Sequence, residues 1–494
     1  MIPHNPPPNG GMGTVIPFPS VATDSQPGAD AKDTRRRLAD FISYAERVLD
    51  FATVMSAALL ANAFYHWTRP QTSIPFSLVT NCSALFALFF VLLLEKYGEY
   101  RPYLSLLAVK ETERLLRVCA VCFLWTVPLL YLLAPTVSRA LVLMTFTFAP
   151  TALLVEKAAV RLGLRWLRSR GLAARRAVIL GGGVLAKNIY SVLARSPKLG
   201  LDPVAIIDED AAYAGVEIHA SSYHCGRPAQ VLAGPLSARL IRNLEAAVLV
   251  IADPNLDSVE TADIVARAAS LGVTTYLVSR DYLEPGYWLE YSEVDGMLMA
   301  RLSPEKSHGR YEAWKRLLDI TVASLLLTIA APLLILIGLL IRRTSPGPAI
   351  FMQSRVGRDG RPFWMYKFRS MYVDSPTYEY SPKTGADSRI TPIGRFLRRT
   401  CLDEVPQLWN VLRGEMSLVG PRPEMPFITD RYTAMQRQRL SVTPGITGLW
   451  QLSGDRAYLI HENLEYDLYY IRNRNLFMDV AILMHSVIFA ARGV

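Results

Sequence analysis

The sequence predicts an α-helical transmembrane bundle, then a Rossmann-like α/β domain, then a mainly helical domain that carries a re-entrant membrane hairpin. Three observations predict this. Four charge-free apolar runs lie within residues 51–155, a glycine-rich turn follows a short apolar strand at residues 177–186, and a fifth apolar run at 320–341 has a proline at its middle and basic residues on both flanks. The length of 494 residues suggests roughly three units at about 150 residues each. Hydrophobic residues make up 51% and charged residues 19%, against about 25% charged in soluble chains, and the mean hydropathy is +0.20. Disorder of the whole chain is thereby excluded, and a fully soluble protein is not expected. The five cysteines, Cys82, Cys119, Cys122, Cys225 and Cys401, are too few to frame a small secreted domain. Cys119-x-x-Cys122 sits in an apolar run without a histidine or a second pair, so it reads as packing rather than a metal site.

Residues 1–40 read as a disordered cytoplasmic tail, rich in Pro, Gly, Ser and Asp and without an apolar period. They do not read as a secretory signal, because Arg35-Arg36-Arg37 comes late and no small-residue cleavage site follows the first apolar run. A transmembrane domain at 41–157 holds the runs Phe51 to Trp67, Ile74 to Leu94, Val118 to Ser138 and Ala140 to Val155. About 20 residues cross a hydrocarbon core, so each run is span-length or slightly short. Lys and Arg in short loops stay on the cytoplasmic side. Arg35, Arg36, Arg37 and Arg47 precede the first run, Lys96, Arg101, Lys110, Arg114 and Arg117 separate the second from the third, and Lys157, Arg161, Arg165, Arg168 and Arg170 follow the fourth. The other two loops hold only Arg69 and Arg139, which gives a cytoplasmic N-terminus, two hairpins and a cytoplasmic chain after Val155.

Residues 158–310 form a linker and the Rossmann-like domain. Ala177 to Leu180 reads as a buried strand, and Gly181-Gly182-Gly183-Val184-Leu185-Ala186 opens a helix as a dinucleotide-binding turn does. Val204 to Ile207, Ala247 to Ala252 and Val273 to Val278 continue an α/β alternation, with Asp208 where a ribose-binding carboxylate would stand. Nucleotide binding and simple packing of the turn both remain open, since no Tyr-x-x-x-Lys pair accompanies it.

The run Ile320 to Ile341 is long enough to span. Lys315 and Arg316 before it and Arg342 and Arg343 after it argue that both ends stay cytoplasmic, while Pro332 favours a bend. Those facts fit a helix–break–helix, with an ordinary kinked span as the other reading.

The chemistry lies beyond Arg342. Tyr366-Lys367-Phe368-Arg369-Ser370-Met371, Arg398-Arg399-Thr400-Cys401-Leu402-Asp403-Glu404-Val405-Pro406-Gln407-Leu408-Trp409-Asn410, Gly420-Pro421-Arg422-Pro423 and Pro444-Gly445-Ile446-Thr447-Gly448-Leu449-Trp450-Gln451 follow one another. They offer cationic forks for phosphate oxygens, a carboxylate pair and rigid turns. An anionic substrate with a hard cation such as Mg²⁺ is the natural inference, with Asp403 or Glu404 as ligand.

Together with Lys315-Arg316-x-x-Asp319, these strings, in this order, resemble the catalytic domain of the monotopic polyprenyl-phosphate phosphoglycosyl transferases, the bacterial sugar transferases. The resemblance covers Tyr311 to Val494, and the four spans with the Rossmann-like unit are similar to the front half of the family's large members. It implies a catalytic domain at 311–494 whose re-entrant helix at 320–341 is bent at Pro332, on the cytoplasmic face of a bacterial inner membrane. One departure is Ala331 before that proline, where the family often has Ser. The implied reaction moves hexose 1-phosphate from a UDP-sugar, glucose or galactose, to undecaprenyl phosphate, with Mg²⁺ as cofactor, and starts capsule, O-antigen or exopolysaccharide synthesis. Asp403 would be the nucleophile and Glu404 would help hold the metal with it. Arg398 and Arg422 would clamp phosphate oxygens, Lys367 and Arg369 would assist, and Pro421 would shape the loop of Arg422. A homodimer suits the large members, and no nucleic-acid partner is expected. A membrane-bound NAD-dependent nucleotide-sugar dehydratase or epimerase, and a non-catalytic scaffold descended from the enzyme, are the competing readings.

Overall fold

The computed structural model describes residues 29–69, 75–100, 108–133, 138–169, 175–181, 185–186, 189–190, 193, 201–208, 217–218, 229–253, 256–278, 287–294, 297–304, 309–375, 387–452 and 464–491. The tail before residue 29, Gly182 to Val184 and Cys225 therefore lie outside the described residues. Four long helices come first, α1 Ala29–Thr68, α2 Phe76–Lys96, α3 Ala108–Leu133 and α4 Arg139–Ser169. Helix α1 begins inside the stretch predicted as tail. Residues 29–40 contain Ala, Lys, Arg and Leu, whose helical propensity is high, and polarity alone hid it. Ser43–Thr68, Ser77–Lys96 and Arg139–Gly163 are long and apolar enough to cross a membrane. Helix α3 carries the third run as far as Leu133.

The bundle packs around Val54, Ala57, Ala87, Phe90, Leu94, Val118, Cys122, Ala149 and Leu153, where small residues allow close helix approach. One end of it is ionic. Asp50 is fully buried, accepts from the Tyr100 hydroxyl at 2.7 Å and pairs with Lys157 at 3.0 Å. Arg47 meets Glu95, Arg114 meets Glu99, and Arg161 meets Glu111. These pairs bring the three basic clusters to the same end of the bundle.

Six strands form the next sheet: β1 Arg175–Leu180, β2 Leu201–Asp208, β3 Glu217–Ile218, β4 Ala229–Ala233, β5 Val248–Ile251 and β6 Thr274–Leu277. Their order is β3-β4-β2-β1-β5-β6, parallel except for the β3–β4 pair. Ala177 and Ile179 enter one core and Val178 and Leu180 another, as expected of a parallel strand covered on both faces. Helices α5 Ala238–Asn243 and α6 Ser258–Ser270 supply part of that cover. Gly181 has φ +117°, and a Cβ there would stand 2.7 Å from the Asp253 nitrogen. The glycine is required by backbone approach alone. A hairpin, β7 Tyr287–Val294 and β8 Met297–Pro304, closes this region. Neither it nor β3 and β4 was predicted.

The C-terminal domain opens with α7 Gly309–Thr344, followed by the hairpin β9 Ile350–Val356 and β10 Pro362–Phe368, α8 Pro392–Arg399, α9 Gln407–Arg413, the parallel pair β11 Ser417–Val419 and β12 Gly445–Thr447, and helices α10 Leu464–Asn473 and α11 Leu476–Ala491. Pro332 lies inside α7, which runs through it without interruption. Its missing N–H and its ring favour a bend there without ending the helix. The opening motif clamps α7 to the core. Lys315 pairs with buried Asp479 at 3.0 Å, Arg316 donates to the Val411 and Leu412 carbonyls at the end of α9, and Asp319 accepts from the Leu418 nitrogen at 3.0 Å. The far half packs on the same domain, through Ile337 and Ile341 against Ala349, Phe368 and Leu397. Between these anchors Ile329 and Ile335 are 69% and 66% exposed. The four-helix bundle docks here too: Thr112 meets His485 at 2.8 Å, Asn475 donates to Glu113 at 2.9 Å, and Val109 joins the core of the C-terminal domain.

Candidate active site

Asp403 and Glu404 sit in a 3₁₀ turn, Leu402–Glu404, between α8 and α9. Helix α8 is opened by Pro392 and by Thr391, whose hydroxyl accepts from the Gly394 nitrogen at 3.0 Å. Cys401 then takes a left-handed backbone, φ +56°, and the turn closes with the Glu404 nitrogen donating to the Cys401 carbonyl at 3.2 Å. Helix α9 fixes the turn from below. Its fully buried Asn410 donates to the Trp364 carbonyl and Glu415, both at 2.7 Å, and accepts from the Tyr366 nitrogen at 3.1 Å. That side chain locks α9 to β10, the strand that delivers Lys367.

Lys367 Nζ and Arg422 Nη2 both reach Glu404 Oε1, at 2.8 and 2.9 Å. Burial alone would raise the Glu404 carboxyl, but Arg422 and Lys367 outweigh it and hold the group well below the usual carboxylate range. Burial lowers Lys367, and the charge of Glu404 only partly opposes this. Asp403 differs from its neighbour. It makes no hydrogen bond among the described residues, and burial raises its carboxyl, with Glu404 adding to the rise and Lys367, Arg398 and Arg422 opposing it. One carboxylate is thus neutralised by direct pairs, while the other stands half-buried in the field of three cations.

Arg422 arrives on the loop after β11. A Cβ on Gly420 would lie 2.6 Å from the Thr443 oxygen, one on Gly445 2.0 Å from the Gly420 nitrogen, and one on Gly448 2.4 Å from the Gly420 oxygen. The Gly-Pro-Arg-Pro and Pro-Gly-Ile-Thr-Gly strings therefore meet backbone to backbone. Pro421 takes part through its carbonyl, which accepts from the Gly445 nitrogen at 2.9 Å.

Six of the sequence-predicted residues are brought together: Asp403, Glu404, Lys367, Arg422, Pro421 and, through its charge on Asp403, Arg398 in the last turn of α8. Arg369 is not among them. It is 5% exposed and donates to the Ser345 and Pro346 carbonyls and the Ser345 hydroxyl, tying down the chain where α7 ends. Strand β10 stops at Phe368, so the alternation that would have kept Arg369 beside Lys367 is lost. The aromatics of α10 pack on the core: Tyr466 and Tyr469 are partly buried against it, and Tyr470 is 2% exposed and bonds Asp479 and the Val419 carbonyl. Sequence reasoning missed Arg439, a buried arginine whose only signal was its position five residues before Pro444-Gly445.

Among the described residues no group of three or more His, Cys, Asp or Glu side chains could hold a metal ion. A caged metal does not fit. A hard cation held by one or two carboxylates and by substrate phosphates does, with Asp403 and with Glu404, whose two hydrogen bonds both fall on Oε1.

Residues 310–493 match the family described as Bacterial sugar transferase, and residues 95–278 match one described as a CoA-binding domain. The UDP-glucose:undecaprenyl-phosphate glucose-1-phosphate transferase of Escherichia coli (strain K12) is 30% identical over 356 residues, covering 69% of this chain and 73% of that protein. The undecaprenyl-phosphate galactose phosphotransferase of Salmonella typhimurium is 31% identical over 344 residues, 65% of this chain and 69% of that one. The galactosyl transferase CpsE of Streptococcus agalactiae is 44% identical over 182 residues, 34% of this chain and 40% of that one. With likeness of that extent, and a family match over 310–493 that includes the carboxylate site, this chain belongs to the bacterial sugar transferase family.

Proposed function

We propose that the protein transfers hexose 1-phosphate from UDP-glucose or UDP-galactose to undecaprenyl phosphate, and that this opens the synthesis of a surface polysaccharide. The observation that carries the reading is Asp403, a half-buried carboxylate without a hydrogen bond among the described residues, in the field of Lys367, Arg398 and Arg422. Asp403 attacks the sugar-bearing β-phosphorus. A bond forms from its carboxylate oxygen, the bond to the bridging oxygen breaks, and UMP leaves with that oxygen. A phosphate oxygen of the lipid then attacks the same phosphorus, expels the Asp403 carboxylate and leaves a lipid diphosphate sugar. Every reacting group is already anionic, so catalysis is a matter of position and charge. Lys367 and Arg422 rest on Glu404 and are poised to turn to phosphate oxygens, while Arg398 offsets charge at Asp403. Mg²⁺, held by Asp403 and Glu404, would supply further neutralisation of the diphosphate. Purified protein in detergent should release UMP and form lipid-linked sugar when given undecaprenyl phosphate with one of the two donors. Absence of UMP with both, or a nicotinamide absorbance change in its place, would reject the reading.

The same proposal puts the site on the cytoplasmic face. The helix α7 is about 54 Å long at 1.5 Å per residue, yet both its halves pack on one domain. A helix crossing the bilayer cannot bring both ends back to one side, so we read α7 as bent at Pro332 and dipping into one leaflet with its exposed Ile329 and Ile335 in lipid. Arg369 holds the point of exit two residues beyond Lys367, which sets the chemistry at the lipid–water boundary. The domain docks on the ionic end of the bundle, where the basic loops lie. A cysteine replacing Thr344 should be labelled by a membrane-impermeant maleimide only in inside-out vesicles; labelling of intact cells would overturn this topology.

A further inference from the structure

We propose that Arg439 is the positioning residue for Arg422. The inference rests on the function proposed above, and assigns a role to a side chain outside the catalytic strings. Arg439 is 3% exposed. Its Nε donates to Asp467 at 2.7 Å, its Nη1 bonds the Tyr432 hydroxyl, and its Nη2 donates to the carbonyl of Arg422 at 3.1 Å. Asp467 is itself 2% exposed. A buried ion pair is an inefficient source of stability, because desolvation offsets most of its attraction. What the guanidinium does supply is direction: three donors in a rigid plane, shared among α10, Tyr432 and the active-site loop.

The loop needs that support. Beside it lies a small crevice of about 10 Å³, room for about one water, lined by Gly357, Pro421, Arg422, Glu424, Tyr432 and Arg439, among others. Packing leaves this gap at the loop, and point contacts bridge it. Pro421 is held by the Gly445 nitrogen and Glu424 by the Val356 nitrogen, whereas the carbonyl of Arg422 is held by Arg439. The strut thus runs from Asp467 through Arg439 to the Arg422 backbone, and the Arg422 side chain carries it on to Glu404.

Arg439→Lys keeps the charge and the stem but loses the planar fork, and Arg422→Ala removes the group the strut serves. Two measurements on the full-length protein in detergent separate the outcomes. Amide hydrogen exchange of the 418–424 segment should quicken in Arg439→Lys while exchange in α9 and α11 stays as in the wild type. Unchanged exchange at 418–424 overturns the inference whatever the activity. In UMP release, Arg439→Lys should lower kcat about 10- to 100-fold, the scale of an ångström-level misplacement, with KM for the UDP-sugar within about threefold. Added to Arg422→Ala, it should cost nothing further. Full additivity, or a loss that only tracks the folded fraction, would overturn it. If the wild-type protein releases no UMP while the loop still loosens in Arg439→Lys, the proposed function falls and the strut stands.

Discussion

Asp403→Asn is expected to lower UMP release by about 10⁴-fold or more, the scale seen when a covalent nucleophile is removed. The substitution is close to isosteric, and Asp403 makes no hydrogen bond among the described residues, so no structural partner is lost. The turn that carries it is held by Cys401, Glu404 and the α9 scaffold, none of which uses its carboxyl group. Stability should accordingly be unchanged in a melting experiment, and that separates the result from misfolding. The amide oxygen and Glu404 still offer ligands to a cation, and Lys367, Arg398 and Arg422 are unchanged, so donor should still bind while no phosphosugar becomes attached to the protein. Donor labelled at the β-phosphate, quenched in acid before lipid is added, should mark the wild-type chain and leave the variant unmarked. Turnover near the wild-type rate in Asp403→Asn would remove the aspartate from the reaction, and so would a label that persists in the variant.

Much of this site was legible because it is built from short strings in which the residue types are themselves the chemistry. Asp403, Glu404, Lys367 and Arg422 converge as the sequence implied, and the pairs on Glu404 account for two of the cations. The failures have local causes. Arg369 was grouped with Lys367 because both stand in one Lys-Phe-Arg string, but the strand ends between them. At Pro332 the helix is not interrupted: one missing donor does not end an apolar helix, though it favours a bend. Strands β3 and β4 are short, and β4 is alanine-rich, so no alternation marks them. Arg439 was invisible for a different reason: its meaning lies in a contact across 17 residues with a backbone carbonyl, and sequence patterns carry no record of such bonds. Lys315, Arg316 and Asp319 belonged to the family strings from the start. Only the structure shows that they act as anchors, fixing α7 to α9, β11 and α11.

Gly445→Ala should be the most damaging change away from the carboxylates. Its Cβ would come within 2.0 Å of the Gly420 nitrogen and 2.6 Å of both the Thr447 oxygen and the Val419 carbonyl carbon. All three are backbone atoms, so no side chain can rotate away, and strands β11 and β12 must separate. The Gly445 nitrogen that holds Pro421 and the Gly420 nitrogen that bonds Thr447 move with them, and Arg422 loses its register against Glu404. Overpacking of this kind costs about 3 kcal/mol or more, a large share of a domain stability of about 5–15 kcal/mol. The melting temperature should fall by about 6–12 °C, and UMP release should be lost from the protein that remains folded. Gly338→Ala is the control. It lies in α7, where the nearest atom to a new Cβ is that of Ala349 at 3.9 Å, and alanine improves helix propensity by about 1 kcal/mol. That variant should melt at or above the wild-type temperature and keep its activity. If Gly445→Ala behaved like Gly338→Ala, the backbone contact between the two glycine strings would not be what holds Arg422 in place.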